Sequence, residues 1–171
     1  MMNLGILTIS DKGWRGERSD ESSTAIKEYL FRLDGQLVRY DIIPDEVDMI
    51  AGKLTEWADE GSVDMILTTG GTGLSRRDVT PEATLRIIDR TVPGLTEAMR
   101  AETFHQTPMA ILSRAVAGVR GGCLIVNLPG SPRAVRECLE VIVPALPHAV
   151  QIIRGEITEH ARTGEDGSGA H

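Results

Sequence analysis

The sequence predicts an α/β fold: a three-layer αβα sandwich around a mostly parallel sheet. Two observations carry that expectation. Short apolar runs alternate with segments whose apolar residues recur every three or four positions. Several of these runs end directly in clusters of Gly, Ser, Thr, Asp or Pro, the punctuation expected between a buried strand and a helix. A βαβα order of this kind implies parallel strands joined by helical crossovers on both faces of the sheet.

Taken in order, residues 4–9 are a short apolar run that reads as a strand, closed by the turn Ser10-Asp11-Lys12-Gly13. Ser19-Asp20-Glu21 offers an N-cap and an acid in the first helical turn. Ile26, Tyr29, Leu30 and Leu33 then share one face of a helix reaching about Leu33. Residues 36–43 are the second strand, stopped by Pro44-Asp45, and residues 48–60 carry Met49, Ile50, Leu54, Trp57 and Ala58 at helical spacing. The third strand, 64–69, runs straight into Gly70-Gly71-Thr72-Gly73. Thr80-Pro81-Glu82 marks a helix start with Pro at the first position, extending to about Asp89, and 93–102 is a further helix. The pattern over 110–120 is ambiguous, with a short strand over 113–118 feeding a turn at Gly121-Gly122 as one reading. Residues 121–127 form a strong strand, and Ser131-Pro132 opens a long helix toward Ile153, bent or split near Pro144 and Pro147. One domain over 1–155 and a polar tail over 156–171 are expected.

Composition narrows the partners. The formal net charge is −7 and aromatic residues make up 4%, which argues against nucleic acid, since both a basic footprint and stacking platforms are missing. No apolar run approaches the roughly 18 residues of a membrane span, so no membrane partner is expected. Cys123 and Cys138 form no CxxC pair, and Met1-Met2-Asn3-Leu4-Gly5 has neither a basic n-region nor a cleavage site. A cytoplasmic domain with a small-molecule or protein partner is the expectation.

In an open α/β sheet, ligands bind outside the carboxyl ends of the strands, so the chemistry is sought there. In Thr69-Gly70-Gly71-Thr72-Gly73 the glycines permit close approach of a ligand, and successive N–H groups can cradle an anion. A plain tight turn is an equal reading of that loop alone, and neither a P-loop nor a dinucleotide fingerprint is present. Asn127-Leu128-Pro129-Gly130-Ser131-Pro132 leads from a strand into a helix start, where N–H groups favour anions and Asn127 could present an amide to a base or pterin. A Pro-stiffened turn capped by Ser131 is the simpler reading. Arg76-Arg77-Asp78 follows the glycine loop; the arginines suit phosphate neutralisation, and Asp78 suits a divalent cation bridging phosphates. Asp11 and Asp45 follow the first two strands on the same sheet edge. The four histidines have no metal-ligand spacing, and Cys123 and Cys138 read as small buried hydrophobes.

Together these motifs resemble the MogA/MoaB family of molybdenum-cofactor biosynthesis over about residues 3–155. The markers are Ile9-Ser10-Asp11 with Gly16 and Asp20; Ile43-Pro44-Asp45; residues 68–73; Arg77-Asp78-Val79-Thr80-Pro81-Glu82-Ala83-Thr84; Leu112-Ser113-Arg114; and residues 127–132. The ordered set looks most like the molybdopterin adenylyltransferases of the family. One departure is Ser23, where the family pattern has Gly.

The resemblance implies a MoaB/Mog-like domain that, with Mg²⁺, transfers the adenylyl group of ATP to molybdopterin, giving adenylyl-molybdopterin and pyrophosphate. It implies Asp45 and Asp78 as the catalytic acids and Mg²⁺ holders. Thr69, Gly70, Gly71, Thr72 and Gly73 would cradle phosphates; Asn127, Pro129, Gly130 and Ser131 would line the adenylate site; Ser113 and Arg114 would bind on the pterin side. A homotrimer and a downstream molybdate-insertion enzyme are implied as partners. The alternative is a MoaB-type carrier or scaffold that binds molybdopterin or nucleotide with weak or no turnover.

Overall fold

β1 (Met2–Ile9) lies inside the sheet, with every residue from Leu4 to Ile9 buried. Its neighbours are β2 (Gly35–Ile43) and β3 (Met65–Thr69), both parallel to it. β6 (Cys123–Leu128) runs parallel to β3, while β5 (Ala117–Arg120) and the two-residue β4 (Arg90–Thr91) add an antiparallel edge. The sheet order is β2-β1-β3-β6-β5-β4. These come from a computed structural model that describes residues 1–157; most of the expected polar tail lies outside the described residues.

Strand alternation divides the core into two layers. Leu4, Ile6, Met65, Leu67, Leu124 and Val126 point to one face. There they meet α2 (Glu21–Lys27), α5 (Pro93–Thr103), α6 (Pro132–Ile142) and α7 (Leu146–Ile153). Leu7, Ile9, Ile66, Cys123 and Ile125 point to the other, against α3 (Val47–Asp59) and α4 (Thr80–Ile87). Each such Leu or Ile contributes about 1.5–3 kcal/mol by leaving water. The αβα sandwich therefore forms as the alternation of patterns requires.

Two details differ from the sequence expectation. Ser10 caps a one-turn helix, α1 (Asp11–Trp14), by accepting the Gly13 N–H at 3.0 Å, where the sequence suggests a turn. The helix after Asp20 stops at Lys27, and tighter i→i+3 bonds (Leu30 N–H to the Lys27 carbonyl, 3.2 Å) carry the chain on to Asp34, at φ 47°. Tyr29 and Leu33 stay buried through these turns, so the apolar face runs further than the helix. As the prolines predict, the last helix is split between Ile142 and Leu146, because Pro144 and Pro147 supply no N–H to continue the ladder.

Position follows from topology. The β1-to-β2 connection crosses one face through α2, and the β2-to-β3 connection crosses the other through α3. The direction of winding reverses between β1 and β3. A crevice opens at that point, beyond the carboxyl ends of the strands.

Candidate functional site

The crevice is a cleft of about 600 Å³, within the range of small-molecule sites. Ser10 and Asp45 enter it from the ends of β1 and β2, Gly70 and Gly71 from the end of β3, and Gly130 and Ser131 from the end of β6. Asp78 closes it from the loop before α4, and Asp20 from the start of α2.

The glycine loop is built so that only glycine fits. Gly70 has φ +99°, and a Cβ there would lie 2.3 Å from the Ile9 carbonyl oxygen. Gly71 has φ +69°, and its Cβ would meet Thr80 Oγ1 at 2.3 Å and Asp45 Oδ1 at 3.3 Å. The Thr80 hydroxyl donates to the Gly70 carbonyl (2.9 Å), the Thr80 amide donates to the Gly71 carbonyl (3.1 Å), and the Thr69 hydroxyl donates to the Pro129 carbonyl (2.6 Å). Gly70 N–H donates to the Leu128 carbonyl at 3.2 Å, so this amide is committed to the fold and does not serve an anion. The loop's work at Gly70 is to let the β3, β6 and β1 ends come together.

The two expected acids both line the cleft. Asp78 Oδ2 accepts the Ser75 N–H at 2.9 Å, and Asp45 Oδ2 accepts the Asp11 N–H at 2.9 Å. Each carboxylate thus uses one oxygen to hold its position and has a second for a ligand. Burial pushes the Asp45 carboxyl above its ordinary range; the Asp11 N–H opposes this, and the charges of Asp11 and Asp78 add to it. Among the described residues no group of three or more His, Cys, Asp or Glu side chains forms a metal cage. Two carboxylates beside an open cleft suit Mg²⁺, which takes one or two carboxylates and completes its shell with water and phosphate oxygens.

The raised Asp45 has a stability consequence. A carboxyl whose folded pKa exceeds its unfolded value lowers stability above the unfolded pKa and ceases to do so below it. Asp45→Asn, whose amide oxygen can still accept the Asp11 N–H, is expected to raise Tm at pH 7 by about 1–3 °C. The gain should vanish near pH 3–4, around the ordinary Asp value. Calorimetry at the two pH values checks this, and a lower Tm for the variant at pH 7 would show that the charged form is stabilised where it sits.

Other expected site residues are placed differently. Asn127 is fully buried. Its amide nitrogen donates to Thr68 Oγ1 (3.1 Å) and Thr84 Oγ1 (3.0 Å), and its oxygen accepts the Val116 N–H (3.1 Å). It joins β6, β3, α4 and the approach to β5 from inside and presents nothing to the cleft. The Arg114 guanidinium donates to the carbonyls of Gly73 (2.8 Å) and Asp78 (2.7 Å) and pairs with Glu82, bracing the segment that carries Asp78. Ser131 lines the cleft and also caps α6, accepting the Ala134 N–H at 3.1 Å. Thr72, Gly73, Ser113 and Pro129 border a second cavity of about 280 Å³, with Met99 and Cys138 on its wall.

Asp20 is absent from the expected site yet sits in the cleft. Its carboxylate accepts from Thr8 Oγ1 (2.7 Å), Tyr40 Oη (2.5 Å) and the Ser23 N–H (3.1 Å). Burial pushes this carboxyl up, but the Tyr40, Thr8 and Ser23 bonds outweigh it and leave Asp20 below its ordinary value. The signal was present as a polar Thr8 inside an apolar strand. Ser23, the departure from the family pattern, fits here: it is buried, and its hydroxyl donates to the Asp20 carbonyl at 3.2 Å.

Fold and cleft define an open-sheet α/β domain with a polar-lined cleft at its topological switch point. A family model described as "Probable molybdopterin binding domain" matches residues 5–148, and the chain belongs to that family. It is 43% identical over 156 residues to a molybdopterin adenylyltransferase of Helicobacter pylori strain J99, covering 90% of this chain and 89% of that protein. It is 39% identical over 179 aligned residues to the molybdopterin adenylyltransferase of Escherichia coli K12, covering 94% and 89%. The crystal structure of the molybdopterin biosynthesis enzyme MoaB from Thermus thermophilus superposes with a TM-score of 0.86 at 54% identity, covering 91% of this chain and 98% of that one.

Proposed function

We propose that the protein is a molybdopterin adenylyltransferase of molybdenum-cofactor biosynthesis. The observation that carries this reading is the convergence of Asp45, Asp78 and the Gly70-Gly71 turn on one cleft large enough for a nucleotide. The curated relatives of that name, matched over most of their length, support it.

In the proposed reaction, an oxygen of the molybdopterin phosphate forms a bond to the α-phosphorus of ATP. The bond from that phosphorus to the oxygen bridging to the β-phosphate breaks, and pyrophosphate leaves. The attacking phosphate is already anionic, so no strong base is required; catalysis is positioning and charge neutralisation. Asp45 and Asp78 would hold Mg²⁺, which when bound supplies the positive charge that brings two anions together. Ser131 and the start of α6 set N–H groups and the positive end of a helix at the cleft. Gly130 and Pro129 carry that turn past the cleft wall. The second cavity, with Ser113 and Thr72 at its border and an apolar wall, suits the pterin ring, and Pro129 and the glycine loop separate it from the nucleotide side.

We propose also that the chain acts as a homotrimer and hands its product to a molybdate-insertion enzyme. Met109, Ile111 and Leu112 are all exposed on one 3-10 segment (Pro108–Leu112), an apolar surface of the kind that marks protein contacts. We propose a cytoplasmic location; separately, no helix among the described residues is long and apolar enough to cross a membrane.

The test is incubation with molybdopterin, ATP and Mg²⁺, with assay of pyrophosphate and adenylylated pterin. Both products are expected, and chelation of the metal should remove both. Binding of molybdopterin with no pyrophosphate release from well-folded protein would replace this reading with the carrier reading.

A further inference from the structure

Arg77 stands where a phosphate-binding arginine is expected, directly after the glycine loop, but its guanidinium is turned to protein carboxylates. Its Nε donates to Asp11 Oδ2 at 3.0 Å and its Nη2 to Asp11 Oδ1 at 2.9 Å, a two-point fork, and the same Nη2 lies 3.0 Å from Glu46 Oε1. Asp11 in turn is interlocked with Asp45. The Asp11 N–H donates to Asp45 Oδ2 (2.9 Å), and the Asp45 N–H donates to Asp11 Oδ1 (3.0 Å). One guanidinium therefore ties together the end of β1, the end of β2 and the loop after β3, and the next residue of that loop is Asp78.

We infer that Arg77 is a positioning residue: through Asp11 it fixes the Asp45 and Asp78 carboxylates relative to one another, and it is not a ligand of the substrate phosphates. The inference rests on the adenylyl-transfer reading for its effect on rate, and on the interlocked bonds for its effect on structure. Asp11 Oδ1 accepts from both Arg77 and the Asp45 amide. Without Arg77, the Asp11 carboxylate faces Asp45 and Glu46 with no counter-charge from that side, and turning out to water would release the Asp45 N–H. The Arg77 side chain is 54% exposed, so its ion pairs add little to global stability. Their consequence is local, and a displacement of a catalytic group by a fraction of an ångström lowers rate far more than it lowers Tm.

The experiment compares Arg77→Gln, Asp11→Asn and the double variant. For each single change kcat is expected to fall about tenfold with KM for ATP within about twofold of wild type. The double variant should be no slower than the slower single one, because both changes break the same link. A rise in KM for ATP with kcat retained, or losses that multiply in the double variant, would make Arg77 a direct phosphate ligand and overturn the inference. Amide hydrogen exchange supplies a readout independent of turnover. In Arg77→Gln the Asp11 and Asp45 amides should exchange at least about tenfold faster while those of β3 are unchanged. Unaltered protection at both amides overturns the link whatever the kinetics show. If wild type releases no pyrophosphate, the adenylyl-transfer reading fails while the exchange result still decides the link.

Discussion

Asp78→Asn is expected to lower the rate of adenylyl transfer by about 10²–10³-fold, equivalent to some 3–4 kcal/mol of transition-state stabilisation. The substitution is nearly isosteric. Its amide oxygen can still accept the Ser75 N–H that Asp78 Oδ2 accepts at 2.9 Å, and the Arg114 bond to the residue 78 carbonyl is a main-chain contact that persists. The loop therefore keeps its shape and the charge alone is removed. Single-turnover assay of pyrophosphate, with circular dichroism on the same sample, separates the two effects. A rate within about threefold of wild type in folded protein would remove Asp78 from the chemistry.

Asn127→Leu is expected to cost about 2–4 kcal/mol of folding stability, a drop in Tm of roughly 5–15 °C for a chain of this size. Leucine has the same branched skeleton with bulkier methyl groups, so no cavity is opened and the loss comes from polar groups left without partners, with some overpacking added. The Val116 N–H loses its acceptor at 3.1 Å, and Thr68 and Thr84 lose the amide shared between them. Thr84→Val removes part of the same network, so the two losses should not add. Denaturant titration of the single and double variants measures this. A stability loss under about 1 kcal/mol with a large rise in KM for ATP would return Asn127 to the ligand side of the wall.

The placement of Asp45 and Asp78 at the cleft was legible in the sequence because it follows from local order. Each stands in a turn or loop after a strand that periodicity identifies, and parallel winding brings such segments to one edge. The glycine loop was legible for the same reason, although Gly70 uses its amide to hold Leu128. The contacts of Asn127, Arg114 and Arg77 were not legible, because they depend on partners far along the chain. A polar residue at the end of a buried strand looks alike whether it faces ligand or core; the register of β6 against β3, with Asn127 opposite Thr68, turns it inward. Arg114 and Arg77 carry charge suited to phosphate, but Glu82 and Asp11 reach them first. Asp20 was passed over because helix capping explained it, and its contact with Tyr40 spans two elements.

By itself the sequence determined the α/β class, the order of the main layers and the edge of the sheet where the cleft opens. Those properties rest on hydrophobic periodicity and turn chemistry, which are written locally. Only the tertiary structure decided which polar side chains face the cleft and which hold the loops that form it. A side chain's hydrogen-bonding capacity is finite, and whether any remains for a ligand depends on which protein groups the fold brings within about 3 Å of it.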